Sequence, residues 1–187
     1  MPDRKEEILD VAEDLLLTRG YSAFSYQDIA ERLGIKKASL HHHFATKEDL
    51  GVALCDRFLA QNQSIIDECA TRDASATEML DLYLSHTAAL AESADRCCPA
   101  GVLKAEFTAL PGRVQAKVDE ISRWMHECTT RMLARGRESG EFAFEGEPAD
   151  QAWLLMATLQ GSLLSARVHG TPVYDAIAKQ LRSQLTS

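Results

Sequence analysis

Apolar residues recur at intervals of three and four along almost the whole chain, and this spacing confines the fold to α-helices. Near the amino terminus the spacing is followed by Ile8, Val11, Ala12, Leu15 and Leu16, which predicts one buried stripe on a helix. No run of residues alternates polar and apolar side chains in the way that a half-buried strand requires. With 187 residues, 45% of them hydrophobic, the chain can bury a substantial core. We therefore expect an all-α fold.

Residues 25–50 have the pattern of two short helices joined by a tight turn and followed by the start of a third helix. Ser25 precedes Asp28 by three residues, a spacing at which the hydroxyl and the carboxylate both cap the first turn of a helix. Gly34 stands where such a turn needs a residue that tolerates positive φ. The second short helix is predicted to run from about residue 37 to residue 44. We interpret this segment as a helix-turn-helix.

The same segment is basic, although the chain as a whole is acidic. Between residues 32 and 47 the sequence has Arg32, Lys36, Lys37 and Lys47, together with three histidines and no acidic residue. The formal net charge of the whole chain is -8, so it lacks the excess of positive charge that sequence-indifferent coating of nucleic acid needs. Contact with a polyanion is predicted to be local to this segment.

In a helix-turn-helix, the first helix crosses the DNA backbone and the second enters the major groove. The side chains predicted to face the protein core are those of Ile29, Leu33, Leu40 and Phe44. The side chains predicted to face DNA are those of Lys36, Lys37, Ser39, His41 and His42. Because helix amino termini bind anions, phosphate contacts are predicted for the Ser25 hydroxyl, the amides of Tyr26 and Gln27, and the Lys47 ammonium.

Three consecutive histidines, His41, His42 and His43, raise the alternative of a metal site. Adjacent residues on a helix point about 100° apart, so the three imidazoles cannot converge on one ion. We expect no metal site here. His43 is instead predicted to be a core or interhelical hydrogen-bonding residue beside Phe44.

The first 50 residues resemble the DNA-binding domain of the tetracycline-repressor (TetR) family of bacterial transcriptional regulators. The residues that carry the resemblance are Ile8, Ala12, Gly20-Tyr21, Asp28-Ile29-Ala30, Gly34-Ile35, Leu40, His43-Phe44, Lys47-Glu48 and Leu50. Two positions depart from the family pattern, since Lys36 replaces a small hydroxyl residue and His41 replaces a phosphate-contacting tyrosine. Because an imidazole titrates near neutral pH, His41 would make DNA affinity weaken as the pH rises.

The resemblance implies a TetR-like fold of nine helices, with a helix-turn-helix DNA-binding domain at residues 1–46 and a ligand-sensing, dimerising domain at residues 47–187. It also implies a dimer that binds a palindromic double-stranded operator and is released by an inducer. The residues themselves add that the helix predicted at about 149–168 is apolar on nearly all sides. Such a helix is either central in its domain or covered by another subunit. We predict a homodimer through helices eight and nine.

The pair Cys97-Cys98 precedes a predicted short helix, whose positive end would stabilise a thiolate. The segment CPAGVLKAE, residues 98–106, resembles a cysteine motif in a TetR subgroup that includes NemR-like electrophile sensors, except that Val102 replaces an asparagine. Cys98 is therefore a candidate sensor of oxidants or electrophiles, and the alternative is an inert buried thiol. The chain has five cysteines, an odd number that fits no disulfide framework, so reduced thiols are expected.

By analogy with the family, a small-molecule inducer would bind among helices five to eight. The candidate pocket residues are Tyr83, Leu103, Phe107, Trp124, Met125, Cys128, Trp153, Met156 and Gln160. The same residue types would equally suit an ordinary helical core.

Other functional classes find little support in the sequence. No Gly-rich phosphate loop, Gly-x-Ser-x-Gly elbow or metalloprotease histidine pair is present, so we expect neither an enzyme nor a cofactor. The charged amino terminus lacks a secretion signal, and the apolar segment 152–168 is interrupted by polar residues that a membrane span excludes. We expect a cytoplasmic, ligand-responsive transcriptional repressor without a membrane partner. The alternative is a small-molecule-binding protein or enzyme with a vestigial helix-turn-helix.

Overall fold

The computed structural model of the protein describes residues 3–93 and 98–186, and within them all regular secondary structure is helical. The helices are α1 (Arg4–Arg19), α2 (Tyr26–Leu33), α3 (Lys37–His43), α4 (Lys47–Thr71), α5 (Ala76–Glu92), α6 (Pro99–Ala105), α7 (Gly112–Glu138), α8 (Pro148–His169) and α9 (Thr171–Thr186). A short 3-10 helix, Phe107–Ala109, lies between α6 and α7. The predicted all-α fold of nine α-helices is confirmed for the described part of the chain.

The helices pack as two compact units that do not follow the order of the chain. The first unit comprises Met1–Gln63 together with Pro99–Ile121, and the second comprises Ser64–Cys98 together with Ser122–Ser187. Consequently α6 and the beginning of α7 pack with the amino-terminal helices, although they follow α5 in sequence. The functional boundary predicted at residue 46 falls between α3 and α4 and stays a prediction.

The predicted stripe on α1 forms part of the core of the first unit. Its buried members are Ile8, Ala12, Leu15 and Leu16, which lie with Ile29, Leu40 and Leu50 from the next three helices among the fully or nearly fully buried side chains. Gly20 follows α1 with φ of 91° and ψ of 162°. Its positive φ is one that glycine adopts readily, but it does not have the left-handed helical geometry of a standard cap.

Local sequence signals set the limits of α2 and α4. The Ser25 amide donates to Asp28 Oδ2 at 2.8 Å and the Asp28 amide donates back to the Ser25 side chain, which together form a capping box. The Gln27 amide also donates to the Ser25 hydroxyl, at 3.2 Å. The same arrangement recurs between Thr46 and Asp49 at the start of α4. Gly34 ends α2 in the left-handed region, with φ of 63° and ψ of 33°, as the turn requires. The predicted cap at Ser25 and the predicted turn at Gly34 are both confirmed.

In the second unit, α9 is attached to α5 by a buried polar contact as well as by apolar packing. The Tyr174 hydroxyl donates to the Leu84 carbonyl at 2.6 Å and lies at 2.5 Å from the Thr87 hydroxyl. Both Tyr174 and Thr87 are buried. Since buried hydroxyls are costly unless they are paired, this contact fixes the register of α9 along α5.

Helix α8 is apolar on two opposite faces, as the sequence predicted. Its inner face is buried and consists of Ala152, Leu155, Met156, Leu159, Leu163 and Ala166. Its outer face is exposed and consists of Trp153, Leu154, Ala157, Gly161, Leu164 and Val168, which span an arc of about 100° at helical spacing. Val168 is 75% exposed. No helix in the described residues is long and apolar enough to cross a membrane.

Candidate nucleic-acid interface and effector site

Most of the side chains predicted to contact DNA lie on the protein surface along α2, α3 and the turn between them. Ser25, Gln27, Lys36, Lys37, His41 and His42 are exposed, and Ser39 is partly exposed. On α3, Lys37 and His41 are four residues apart and therefore share one face of the helix. The first turn of α3 contains no acidic residue. The positive end of this helix thus carries two lysines, an arrangement that a nearby anion would stabilise.

The side chain of Tyr26 is buried and holds the two short helices against α4. Its hydroxyl lies 2.9 Å from the Phe44 carbonyl and 2.6 Å from the Thr46 carbonyl, and it donates its proton to this pair. Burial raises the pKa of Tyr26 to about 12, so the phenol stays protonated. The predicted DNA contact at Tyr26 is therefore limited to its backbone amide, which has no intrahelical partner at the first helical position.

The Ser25 hydroxyl is engaged within the capping box. It donates to Asp28 Oδ2 at 2.7 Å, and this hydrogen bond is the main reason why the pKa of Asp28 is lowered. The negative carboxylate also lies 3.1 Å from the Arg19 guanidinium. A phosphate contact through the Ser25 hydroxyl would require that hydroxyl to leave Asp28.

The Lys47 ammonium points into the first unit. It donates to the Tyr21 carbonyl at 2.6 Å and to the Phe24 carbonyl, and it lies 4.4 Å from the centroid of the Phe24 ring. Burial lowers the pKa of Lys47, an effect that the nearby Glu106 and Asp28 oppose. The predicted contact of this ammonium with phosphate does not match these interactions. We assign Lys47 to positioning the loop between α1 and α2.

Two contacts hold the ring of His41, and one of them indicates which ring nitrogen carries a proton. Its Nδ1 lies 3.0 Å from the Ala45 carbonyl, and its ring centroid lies 4.9 Å from that of Tyr26. Because a carbonyl only accepts, Nδ1 must carry the proton, and Nε2 of the neutral ring is then an acceptor. Nε2 can donate to a phosphate only when the imidazole is protonated.

The prediction for His43 was wrong. Its side chain is exposed, and the buried side chains at this end of α3 are those of Leu40 and Phe44, which are four residues apart and share one face. Among residues 3–93 and 98–186, no three His, Cys, Asp or Glu side chains are placed to share a metal ion.

Two of the side chains predicted for the pocket, those of Tyr83 and Gln160, lie near Cys98. The Gln160 side-chain amide donates to Cys98 Sγ at 3.4 Å, and Cys98 immediately precedes α6 and is 7% exposed. Burial raises the pKa of Tyr83, with a smaller contribution from Cys98. Cys97 lies outside the described residues. We call Tyr83, Cys98 and Gln160 the Cys98 cluster.

The structure separates the other candidate pocket residues. Leu103 is buried and Phe107 is 39% exposed, and both belong to the first unit rather than to the second. Trp153 lies on the outer face of α8, 50% exposed, with its ring stacked 4.1 Å from that of His126. The exposure of Phe107 and Trp153 does not fit their prediction as pocket residues, because helical apolar spacing does not tell an inner face from an outer one.

The remaining candidates are Trp124, Met125, Cys128 and Met156. Trp124 and Met125 are partly exposed, while Cys128 and Met156 are buried. The Arg131 guanidinium donates to Cys128 Sγ at 3.0 Å. Burial raises the pKa of the Cys128 thiol, and it raises that of Cys55 to about 12. Both groups therefore stay protonated near neutral pH and react slowly as nucleophiles.

Sequence reasoning missed several residues that position the helix-turn-helix. Glu106 accepts a hydrogen bond from the Ser22 amide at 2.8 Å. The Arg113 guanidinium lies 2.6 Å from Asp49, and Arg57 of α4 lies among three carboxylates of α1. No local motif marks these residues, because their partners are distant in sequence.

Two family models match most of the chain. The model described as bacterial regulatory proteins, tetR family, matches residues 8–54. The model described as tetracyclin repressor-like, C-terminal domain, matches residues 77–181. The second match alone covers more than half of the chain.

Similar proteins and solved structures agree with these matches. The HTH-type transcriptional repressor NemR of Escherichia coli (strain K12) is 26% identical over 187 residues, covering 94% of this chain and 91% of that protein. The crystal structure of a TetR-family transcriptional regulator from Agrobacterium tumefaciens has a TM-score of 0.92 and 31% identity, covering 98% of this chain and 97% of that chain. The reduced form of E. coli NemR has a TM-score of 0.82 at 23% identity, covering 99% and 98%, and this last likeness concerns the fold alone.

We expect a His41→Ala variant to bind the DNA site about tenfold more weakly than the wild type, because the exposed face of α3 loses a polar side chain that can contact a phosphate. Fluorescence anisotropy at fixed salt and pH measures both affinities. His86→Gln, at an exposed position on α5, is the control and should bind like the wild type. Equal affinities for the wild type and His41→Ala would contradict the role of His41.

Proposed function

This chain belongs to the TetR family of bacterial regulatory proteins, and from that premise we propose that it represses transcription as a homodimer that an inducer releases from its operator. That it is a DNA-binding transcriptional regulator and not an enzyme follows from the family and from relatives such as NemR and DhaR, both named as transcriptional repressors. The observation that carries the proposal is the exposed row of donors on α3 and on the turn before it.

The geometry of α3 supports DNA recognition by this row. Lys36, Lys37 and His42 are exposed and can donate to phosphates or to base edges in the major groove, where guanine O6 and N7 accept from lysine. Leu40 and Phe44, which are buried, fix the opposite side of α3. Because the rest of the chain is acidic, with a net charge of -8, affinity for DNA of unrelated sequence should stay low.

The outer face of α8 supports a dimer through α8 and α9. Its six exposed residues, defined above, are nearly all apolar and would lose contact with water in an interface. Beside them, a groove of about 290 Å³ is lined by Leu154, Thr158, Ala176, Ile177, Gln180, Leu181 and Gln184. Gly161 lies within the outer face, and a Cβ there would meet no atom within 4 Å. A second copy of the chain can therefore approach α8 closely at this point.

In a two-fold dimer, a conformational change in the second unit would alter DNA binding through the spacing of the two recognition helices. Two recognition helices bind successive major grooves when they lie about 34 Å apart. An inducer that binds better to a dimer with another spacing shifts the population away from the DNA-binding form. We place the action of the inducer at the Cys98 cluster, where a thiol, an amide and a protonated phenol lie together.

DNA binding is tested with duplexes selected from a random pool by the purified protein. We expect Lys37→Ala to weaken binding of the selected duplex about tenfold or more, because one donor to a base edge or phosphate is lost. Lys179→Ala removes another exposed lysine, on α9, and should leave DNA binding unchanged. If no duplex is selected, the helix-turn-helix is vestigial. If a duplex is selected but Lys37→Ala binds it like the wild type, the contact assigned to Lys37 is wrong.

If the inducer acts by modifying the Cys98 thiol covalently, N-ethylmaleimide or hydrogen peroxide should lower the affinity of the protein for its operator by about tenfold or more. Cys98→Ser should abolish this effect, whereas Cys128→Ser should retain it because the Cys128 thiol stays protonated. Electrophoretic mobility shift with treated protein gives the readout. Release that is unchanged in Cys98→Ser would rule out the sensor role of this thiol and leave a non-covalent inducer.

The dimer is tested at Gly161. We expect Gly161→Leu to convert the dimer to a folded monomer, because the new side chain fits the free surface but blocks close approach of a second α8. Sedimentation velocity measures the mass, and circular dichroism checks the fold. Ala116→Leu, an exposed site on α7, should stay dimeric. A wild-type protein that sediments as a monomer at micromolar concentration would contradict the dimer.

A further inference from the structure

Glu106, the first residue after α6, contacts the loop between α1 and α2. Its Oε2 accepts a hydrogen bond from the Ser22 amide at 2.8 Å. The same carboxylate lies so close to Gly20 that a Cβ on Gly20 would overlap its Oε1. Gly20 also has a φ of 91°, so its backbone conformation favours glycine, and a Cβ there would push the Glu106 carboxylate aside.

A second charged residue holds this loop as well. The Lys47 ammonium, at the start of α4, donates to the carbonyls of Tyr21 and Phe24. Glu106 and Lys47 also attract each other electrostatically. The loop at residues 20–24 is thus bound by a carboxylate that follows α6 and by an ammonium that begins α4.

The position of this loop affects the helix-turn-helix directly. Residue 24 is followed at once by Ser25, the cap of α2. At the other end, α6 begins at Pro99, the residue after Cys98. Helix α6 has seven residues, a length of about 10 Å, and it packs against α1. A displacement of its first residue therefore moves Glu106 unless the short helix breaks.

We propose that Glu106 is a positioning residue that couples α6 to the helix-turn-helix, so that DNA binding and the accessibility of Cys98 depend on each other. This inference rests on the proposed DNA binding but not on Cys98 being the sensor. Coupling between two sites is reciprocal by thermodynamic necessity. Operator DNA that fixes the helix-turn-helix must then also restrain α6 through Glu106.

The experiment uses N-ethylmaleimide as a probe of Cys98 in a Cys97→Ser background, with labelling followed by peptide mass spectrometry. Because Cys98 is 7% exposed, the reagent reaches it only when the segment opens locally. We expect a selected operator duplex to slow labelling about fivefold or more. Glu106→Ala should lose this protection, whereas Glu106→Gln should keep it, because the amide oxygen can still accept from Ser22.

Controls separate coupling from loss of fold and from loss of DNA binding. Glu138→Ala, at an exposed residue that ends α7, should protect Cys98 like the wild type. If Glu106→Ala unfolds at a lower temperature than the wild type, Glu106→Asp serves in its place. The shorter side chain withdraws the carboxylate from Ser22 with less disturbance, and the operator duplex must then also fail to protect Cys98 from labelling. Protection that persists when the carboxylate is removed or withdrawn overturns the inference while the proposed function stands. Failure to select any duplex contradicts the proposed function itself.

Discussion

The geometry of the DNA-binding segment depends on the hydrogen bonds of the Tyr26 hydroxyl. It shares its one proton between the Phe44 and Thr46 carbonyls, at the end of α3 and just before α4. The Phe44 carbonyl lies just past the end of α3 and has no partner within that helix, and leaving such a group buried and unpaired costs about 1–3 kcal/mol. The Thr46 carbonyl accepts from the Tyr26 hydroxyl in addition to the Leu50 amide of α4, at 3.2 Å. One phenol on α2 therefore fixes the end of α3 and the beginning of α4. The exposed side chains of α3 have a defined geometry because this frame is fixed.

Local signals in the sequence predicted the structure wherever all the interacting groups lie within a few residues. The box formed by Ser25 and Asp28, and the turn at Gly34, belong to this class and are confirmed. Lys47 shows where such reasoning ends. Its charge and its place at a helix start suggested a phosphate partner, but its carbonyl partners lie 23 and 26 residues away. Only tertiary structure brings these groups together, as it does for Glu106 and Ser22.

Helix α8 shows a second limit of sequence patterns. The absence of a polar face correctly indicated that the helix is apolar on opposite sides, and one of these sides is buried while the other is exposed. The pattern did not reveal which face of the helix packs into the core of the second unit. Trp153 was therefore predicted for a pocket, whereas its side chain lies exposed beside His126. The grouping of Tyr83, Cys98 and Gln160 was partly predictable, because all three were singled out, but their mutual proximity depends on how α5 and α8 pack.

The first unit is assembled from two separate stretches of chain, and this has a consequence for its synthesis. Residues 64–98 must be made and folded back as a closed loop before α6 and the first part of α7 can join α1, and closing such a loop costs entropy. Domains generally fold in the order in which they leave the ribosome. Here the amino-terminal unit can be completed only after Ile121 has been added. The unit that contains the helix-turn-helix is therefore the first to be synthesised, but its folding can be completed only late in synthesis.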